Sequence, residues 1–257
     1  MRKTAAITVF TLALPLAAGA VLGDVLASWE TPRPGSGFNG IVYDGENMWV
    51  KHTNSYEGYV FKCTTVGSVV TEIPFPYPAP SFYSFGLTFD GEYLWTIYHY
   101  WRMTSFDDFR KYTTTGSYAG GFGLHFWYPP YCKAVTWDGK NLYTGESPPV
   151  PYRIGKYTTA GTLVATFPLA VGGGSDWAYY KRQLWSYGRG GLVYGVTLNG
   201  SVVASFAAPG GSCEGTAFDG EYLWTIDENN PQYVYKVDID VVGEAPASLG
   251  RVKALYR

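Results

Sequence analysis

The residues able to do chemistry in this 257-residue chain fall at matching points along it. They are His52 with Asn54; His99 with Tyr100, Trp101 and Arg102; Glu146; Arg189; and Asp227 with Glu228 and Asn229. Imidazole, guanidinium and carboxylate groups set among aromatic side chains suit recognition of hydroxyls and amides, as in a glycan or a peptide. They do not spell out a reaction. No Gly-x-Ser-x-Gly elbow, zinc-protease helix motif or Gly-x-x-x-x-Gly-Lys phosphate loop is present, so no residue is assigned a catalytic role. No cofactor is expected. The run Asp227-Glu228-Asn229-Asn230 is oxygen-rich enough to suggest calcium, but it lacks the ligand spacing and sixth-position glycine of a calcium loop. His52 and His99 alone do not define a metal site, and His125 sits in an aromatic segment.

Each of these groups follows an aromatic residue that closes a recurring stretch. "GIVYDGENMW" begins at Gly40, "GLTFDGEYLW" at Gly86, "AVTWDGKNLY" at Ala134, a degenerate "DWAYYKRQLW" at Asp176, and "GTAFDGEYLW" at Gly215. The closing aromatics Trp49, Trp95, Tyr143, Trp185 and Trp224 are 46, 48, 42 and 39 residues apart. That is the length of a four-stranded propeller blade, roughly 40–50 residues. Each stretch reads as a hairpin: alternating residues such as Leu87 and Phe89, an Asp-Gly turn in which Gly accepts φ > 0, and a second strand. Third strands follow in "YVFKCTTVG" from Tyr59, "FRKYTTTG" from Phe109, "YRIGKYTTAG" from Tyr152 and "VYGVTLNG" from Val193. Fourth strands follow in "SVVTEIPFP" from Ser68, "TLVATFPLA" from Thr162 and "SVVASFAAP" from Ser201, with only "SYAGGFGL" from Ser117 in the second copy.

The fifth copy runs through "YVYKVDID" from Tyr233 and has no fourth strand after it. A matching segment, "GDVLASWETP" from Gly23, stands instead at the other end of the chain, close in pattern to "GSVVASFAAP" from Gly200. The expected architecture is therefore an all-β, five-bladed β-propeller of four-stranded antiparallel blades, with an N-terminal strand completing the C-terminal blade. Closure removes the edges that an open array of hairpins, or a prism-like solenoid, would leave exposed. The closing aromatics then face neighbouring blades, which accounts for most of the Trp and Tyr content without any binding role.

In such a ring the Asp-Gly and Thr-x-x-Gly turns share one end. The connections between blades, and those between second and third strands, share the other, and binding chemistry concentrates in such loops. The candidate residues His52, His99, Trp101, Arg102, Glu146, Arg189, Asp227 and Glu228 belong to that loop-rich end, walled by Tyr77, Phe82, Tyr83, Phe126, Trp127, Tyr128 and Tyr131. They either converge on a polar pocket or pair with one another and plug the channel.

Residues 1–20, with Arg2 and Lys3, an uncharged run from Ala5 and a closing Ala18-Gly19-Ala20, read as a cleaved export signal, the alternative being an uncleaved anchor. The expected organisation is a signal peptide at 1–20, one propeller domain at 21–243 and a tail at 244–257. The tail, with Arg251, Lys253 and Arg257, is either a frayed helix or a sorting address for a bacterial envelope. Removing Arg2 and Lys3 from 19 basic residues leaves 17 against 21 acidic, which excludes a basic stripe for nucleic acid. No second segment is apolar enough to span a bilayer. The expected setting is extracellular or periplasmic, with attachment to the cell surface as an alternative, and the expected partners are a glycan, a peptide or a surface protein. Cys63, Cys132 and Cys213 are odd in number; Cys132 and Cys213 sit at the same repeat position, and whether they pair stays open.

The inner hairpins resemble those of NHL-type and related secreted bacterial propellers over residues 23–240, without the Gly-His and Trp-Asp signatures of WD40 blades. Strands of the "GLTFDGEYLW" type are also similar to those of the five-bladed glutaminyl cyclotransferases. That resemblance implies cyclisation of an N-terminal glutamine by a carboxylate acid/base following the aromatic of an inner hairpin. The matching positions here are Val50, Thr96, Thr144, Ser186 and Thr225, none a carboxylate, which leaves Glu146 and Glu228 as the groups able to stand in. The leading expectation is a secreted, non-catalytic binding propeller. A cyclotransferase-like enzyme and a structural envelope component are the alternatives.

Overall fold

Five recurring hairpins call for five sheets, and the chain builds them. The computed structural model describes residues 22–33, 35, 37–53, 58–75, 82–100, 106–125, 132–146, 152–169, 176–188 and 190–239. Strand β1 (Val25–Glu30) comes first. The first blade is then β2 (Phe38–Tyr43), β3 (Met48–Thr53), β4 (Gly58–Cys63) and β5 (Val69–Phe75). The second is β6 (Phe82–Phe89), β7 (Tyr93–Tyr100), β8 (Phe106–Thr113) and β9 (Tyr118–His125). The third is β10 (Cys132–Trp137), β11 (Leu142–Glu146), β12 (Arg153–Tyr157) and β13 (Leu163–Pro168). The fourth is β14 (Ala178–Tyr180), β15 (Gln183–Gly188), β16 (Leu192–Thr197) and β17 (Val202–Ala207). The fifth is β18 (Gly215–Phe218), β19 (Leu223–Ile226) and β20 (Tyr233–Val237), with β1 paired antiparallel to β20 as its outer strand.

The closure is continuous along that edge. Val25 faces Val237 and Glu30 faces Tyr233. The Gly23 N–H donates to the Asp238 carbonyl at 2.8 Å, and the Thr31 N–H to the Gln232 carbonyl at 3.0 Å. Gly23 also completes the repeat. A Cβ there would lie 2.8 Å from the Phe206 ring of the fourth blade, as one at Gly67 of the first blade would lie 2.8 Å from Trp29 on β1. At these two turns the glycine lets one blade's outer corner rest on the next, at φ of 93° and 86°.

In four of the five hairpins the turn Asp has a double role. Its Oδ1 accepts the N–H groups two and three residues on; for Asp90 these are Glu92 at 2.9 Å and Tyr93 at 2.7 Å. Its Oδ2 accepts from the closing aromatic: Trp49 on Asp44 and Trp95 on Asp90 at 2.7 Å, Trp224 on Asp219 at 2.8 Å, and the Tyr143 hydroxyl on Asp138 at 3.0 Å. The carboxylate thus caps its own turn and supplies the partner a buried indole needs. The fourth hairpin lacks this device. Tyr180-Lys181-Arg182 replaces Asp-Gly-Glu, Lys181 and Arg182 adopt φ of 45° and 63°, and the buried Trp185 Nε1 has no hydrogen-bond partner among the described residues.

The core is not a single central mass. It consists of five apolar clusters, each lying between adjacent blades. Trp49 packs with Leu87 and Leu94 of the second blade, Tyr143 with Trp177 and Leu184 of the fourth, and Trp224 with Phe38 and Ile41 of the first. The closing aromatics are the cement between sheets. Cys132 and Cys213 lie in different clusters, each buried, and no disulfide joins them. No helix of the described residues is long and apolar enough to cross a membrane.

Candidate functional site

Strand polarity fixes which side chains share an end. Strands β3, β7, β11 and β19 all run toward the end that carries the inter-blade connections. Thus His52, His99, the Glu146 backbone and the Asp227–Glu228 pair share that end. Trp101, Arg102 and Arg189, with Asn54, Tyr77, Phe126, Trp127, Tyr128 and Tyr131, lie outside the described residues, as do the segments 1–21 and 240–257. The side chains of Phe82, Tyr83, Tyr100, His125 and Glu146 are likewise outside the description.

The described members are built in firmly. His52 is buried, its ring edge-on to Phe38 at 4.9 Å between centroids. His99 is buried too, and its Nδ1 lies 2.6 Å from Asp107 Oδ1. Asp107 is fully buried, and its second oxygen accepts the Cys132 N–H at 2.6 Å, so one carboxylate orients the imidazole and ties the second blade to the third. A carboxylate partner fixes Nδ1–H as the donor and turns Nε2 away from the acid. Asp227 is also fully buried. Its oxygens accept the Tyr233 N–H at 2.8 Å, the Asn229 amide at 2.7 Å and the Tyr235 hydroxyl at 3.0 Å. Burial, that hydrogen bond and the Asp227 charge push the Tyr235 phenol up to about 12. Asp227 therefore shapes its own loop, while Glu228 beside it is exposed, with its N–H donating to Ser212 Oγ at 3.0 Å. Among the described residues no group of three or more His, Cys, Asp or Glu side chains is arranged to hold a metal ion.

Sequence reasoning passed over three polar residues that organise this end and the axis behind it. Gln232 is buried at the junction of the fifth and first blades. Its Oε1 accepts the Gly37 and Phe38 N–H groups, both at 2.8 Å, while Nε2 donates to the Asp227 carbonyl at 2.6 Å and the Phe38 carbonyl at 3.1 Å. Asp176 stands where the other hairpins have Gly40, Gly86, Ala134 and Gly215. Those small residues let inner strands meet: a Cβ at Gly86 would come within 3.2 Å of Asp176 Oδ1. The carboxylate accepts N–H groups from three blades, Ile41 at 3.1 Å, Leu87 at 3.4 Å and its neighbour Trp177 at 2.9 Å. Its main-chain carbonyl accepts Thr216 Oγ1 at 3.2 Å from the fifth blade and Ser186 Oγ at 3.1 Å.

Lys51 is the third. It is fully buried and donates to Gly86 O at 2.8 Å, Thr96 Oγ1 at 2.9 Å and Ser84 Oγ at 3.1 Å, all in the second blade. Burial pushes its amine down to about 7 against the pull of Asp176, and burial raises the Asp176 carboxyl well above its ordinary range against its three N–H donors and Lys51. Asp176 and Lys51 form an axial pin holding several blades in register. The signal available in the sequence was positional: an Asp in a small-residue position, and a Lys where the other second strands have Ile97, Gly145, Tyr187 and Ile226.

No family model and no curated protein matches the chain in sequence. Solved structures match it in fold. The glutaminyl cyclase of Myxococcus xanthus superposes with a TM-score of 0.65 at 11% identity, covering 86% of this chain and 97% of that one. Regucalcin of Agrobacterium tumefaciens, a calcium-binding protein, gives 0.52 at 12% identity over 84% and 94%. The aldose sugar dehydrogenase of Streptomyces coelicolor, in its PQQ-bound form, gives 0.50 at 11% identity over 84% and 97%. At such identities the likeness is one of fold: the chain is a five-bladed β-propeller resembling those of the glutaminyl-cyclase type.

Proposed function

We propose that this protein is an exported, non-catalytic propeller that binds a glycan or peptide partner through its loop-rich end. The observation that carries the reading is the inequality of the two ends. Connections at the turn end are two to five residues long and, apart from the two-residue turn of the fourth hairpin, close on themselves through Asp or Thr side chains, whereas those at the other end reach nine. Around three of the loop-end connections the sequence reads "FPYPAPSFYSF", "YHYWRMTSFDD" and "HFWYPPYCK", dense in aromatic rings and prolines with a few polar groups among them. His99, oriented by Asp107, and the exposed Glu228 are described polar groups at that end. Glycan and peptide arrays probed with the chain lacking residues 1–20 should give saturable binding that Glu228→Lys weakens and Glu92→Lys, at the turn end, leaves intact. Blank arrays count against the reading. Mass analysis of the exported protein should find Val21 at its N-terminus, and an intact Met1 would show an anchor instead.

A second reading is favoured by the fold likeness over nearly the whole of the Myxococcus xanthus enzyme. It is cyclisation of an N-terminal glutamine, with Glu146 or Glu228 as acid/base. Pyroglutamate formation from a Gln-peptide, abolished by Glu146→Gln or Glu228→Gln, would establish it over the non-catalytic reading.

A further inference from the structure

A cavity of about 110 Å³ opens at the turn end of the axis, opposite the loops. Its shape follows from the repeat. The residue before each turn is Tyr43, Phe89, Trp137, Tyr179 or Phe218, one from each blade, and all five line the opening. One position deeper stand Val42, Thr88, Thr136, Ala178 and Ala217, again one per blade and all lining the cavity. Five short side chains beneath a collar of five aromatic rings leave a space that the backbone cannot fill.

The chemistry of the wall is lopsided. Thr88 and Thr136, from adjacent blades, form a hydroxyl-bearing side; Thr216 also lines the cavity, but its hydroxyl donates to the Asp176 and Trp185 carbonyls at 3.2 and 3.1 Å, and Val42, Ala178 and Ala217 are apolar. Thr136 Oγ1 accepts the Tyr179 N–H at 3.1 Å and keeps its own proton to donate. The carboxylate in the wall, Asp138, is bonded to Lys156 at 3.0 Å and to its own turn at 2.6 and 2.8 Å. Lys181 is exposed, with its amine 5.1 Å from the centre of the Tyr180 ring. No uncommitted charge therefore faces the interior.

The fourth blade departs from the repeat at this opening. It gives up the turn Asp, leaves Trp185 Nε1 without its acceptor and holds Lys181 at positive φ. In exchange it places Tyr180 in the wall, its ring stacked on Phe218 at 3.5 Å. Local rules broken together around one cavity mark a place where something other than folding is served.

We propose that this cavity binds a small uncharged ring bearing one hydroxyl, of the size of phenol, independently of the loop-rich end. An enclosed apolar cavity of about 150 Å³ accommodates benzene, and the open mouth here lets one edge of a ring protrude. The faces of the ring meet the aromatic collar and its hydroxyl meets Thr88 and Thr136. Phenol titrated into the protein, followed by NMR shifts and tryptophan fluorescence, should show saturable binding. Ala178→Leu, which fills the space, should abolish it, with Ala217→Val as a milder second filler; circular dichroism and cooperative unfolding confirm that each variant is folded. Thr88→Val should weaken phenol about fivefold to tenfold while leaving toluene unchanged. N-acetyl-tyrosinamide competing with phenol would assign the ring to a peptide side chain, and its failure to compete would assign it to a free small molecule. Absence of saturable binding to the unmodified protein, or binding that persists undiminished in both folded fillers, overturns the proposal. Loop-end variants such as Glu228→Lys should have no effect on phenol, so failure here leaves the loop-end reading standing.

Discussion

Asp176 and Lys51 are the side chains on which the inner ring most depends. Each satisfies buried groups on other blades, and removing either side chain leaves those buried donors or acceptors unpaired, at a cost of about 1–3 kcal/mol for each group. Asp176→Ala unbonds the N–H groups of Ile41, Leu87 and Trp177. It should therefore lower the urea midpoint far more than any surface change. The Lys51→Met, Asp176→Asn double variant should be destabilised by less than the sum of the single changes, a coupling of about 1 kcal/mol or more in a double-mutant cycle. The turn aspartates answer to pH instead. Burial raises the Asp44 and Asp138 carboxyls, but the turn N–H groups, Trp49 on Asp44, Lys156 and Tyr143 on Asp138, and Lys62 near Asp44 more than reverse it, so both end below 3.8. Native carboxyls below their unfolded value bind fewer protons in the folded state. Their contribution is therefore complete above about pH 4 and is lost as the pH falls through the folded values. Urea midpoints between pH 6 and pH 3 should fall, and the Asp44→Asn, Asp138→Asn double variant should lose less over that interval. None of the axial chemistry was legible beforehand, because Asp176 reveals itself only as a misfit in a column of small residues. The Asp-Gly turns were legible, since both the sign of φ and the capping role follow from residue type.

At the scale of the hairpin, four copies repeat one solution and the fourth blade shows its cost when altered. Lys181 at φ 45° occupies the place of a glycine, and a non-glycine residue held there costs about 1–3 kcal/mol. Lys181→Gly should accordingly raise the melting temperature by a few degrees, with about 1 kcal/mol as the expected gain. No gain would mean that the Lys181 backbone is not strained. The degenerate stretch "DWAYYKRQLW" was recognisable as a hairpin through Trp185 alone, and it forms a short inner strand of only Ala178–Tyr180. Its weak pattern has a physical counterpart in the lost Asp-to-indole bond. The second copy taught the opposite lesson. Its fourth strand, glycine-rich and unpromising in "SYAGGFGL", forms an eight-residue strand because its backbone pairs with Phe106–Tyr112 along its length, apart from a bulge at Ala119.

For the molecule as a whole, the offset between the repeat and the chain's ends foretold the closure, since "GDVLASWETP" had no use except beside β20. Deleting residues 21–31 should strip Trp29 from the cluster it shares with Phe38 and Trp224, bare the β20 edge, and yield a species that aggregates or unfolds without cooperativity in size-exclusion and denaturation experiments. Gly23→Val should act in the same direction by driving a side chain into Phe206. What the sequence could not convey is how the loop-rich end is arranged, because irregular segments have no period from which to read side-chain direction. The polar residues gathered there by strand order divide instead into those spent on structure, such as Asp227, and those facing solvent, such as Glu228. The central claim is that the partner binds at that end of the ring. Its most direct test is to map the surface protected from hydrogen exchange by the best array ligand. Protection confined to residues beside β3, β7 and β19 at their loop ends, around His52, His99 and Glu228, is the predicted result. Protection of the outer strands with the loop end unchanged would contradict it.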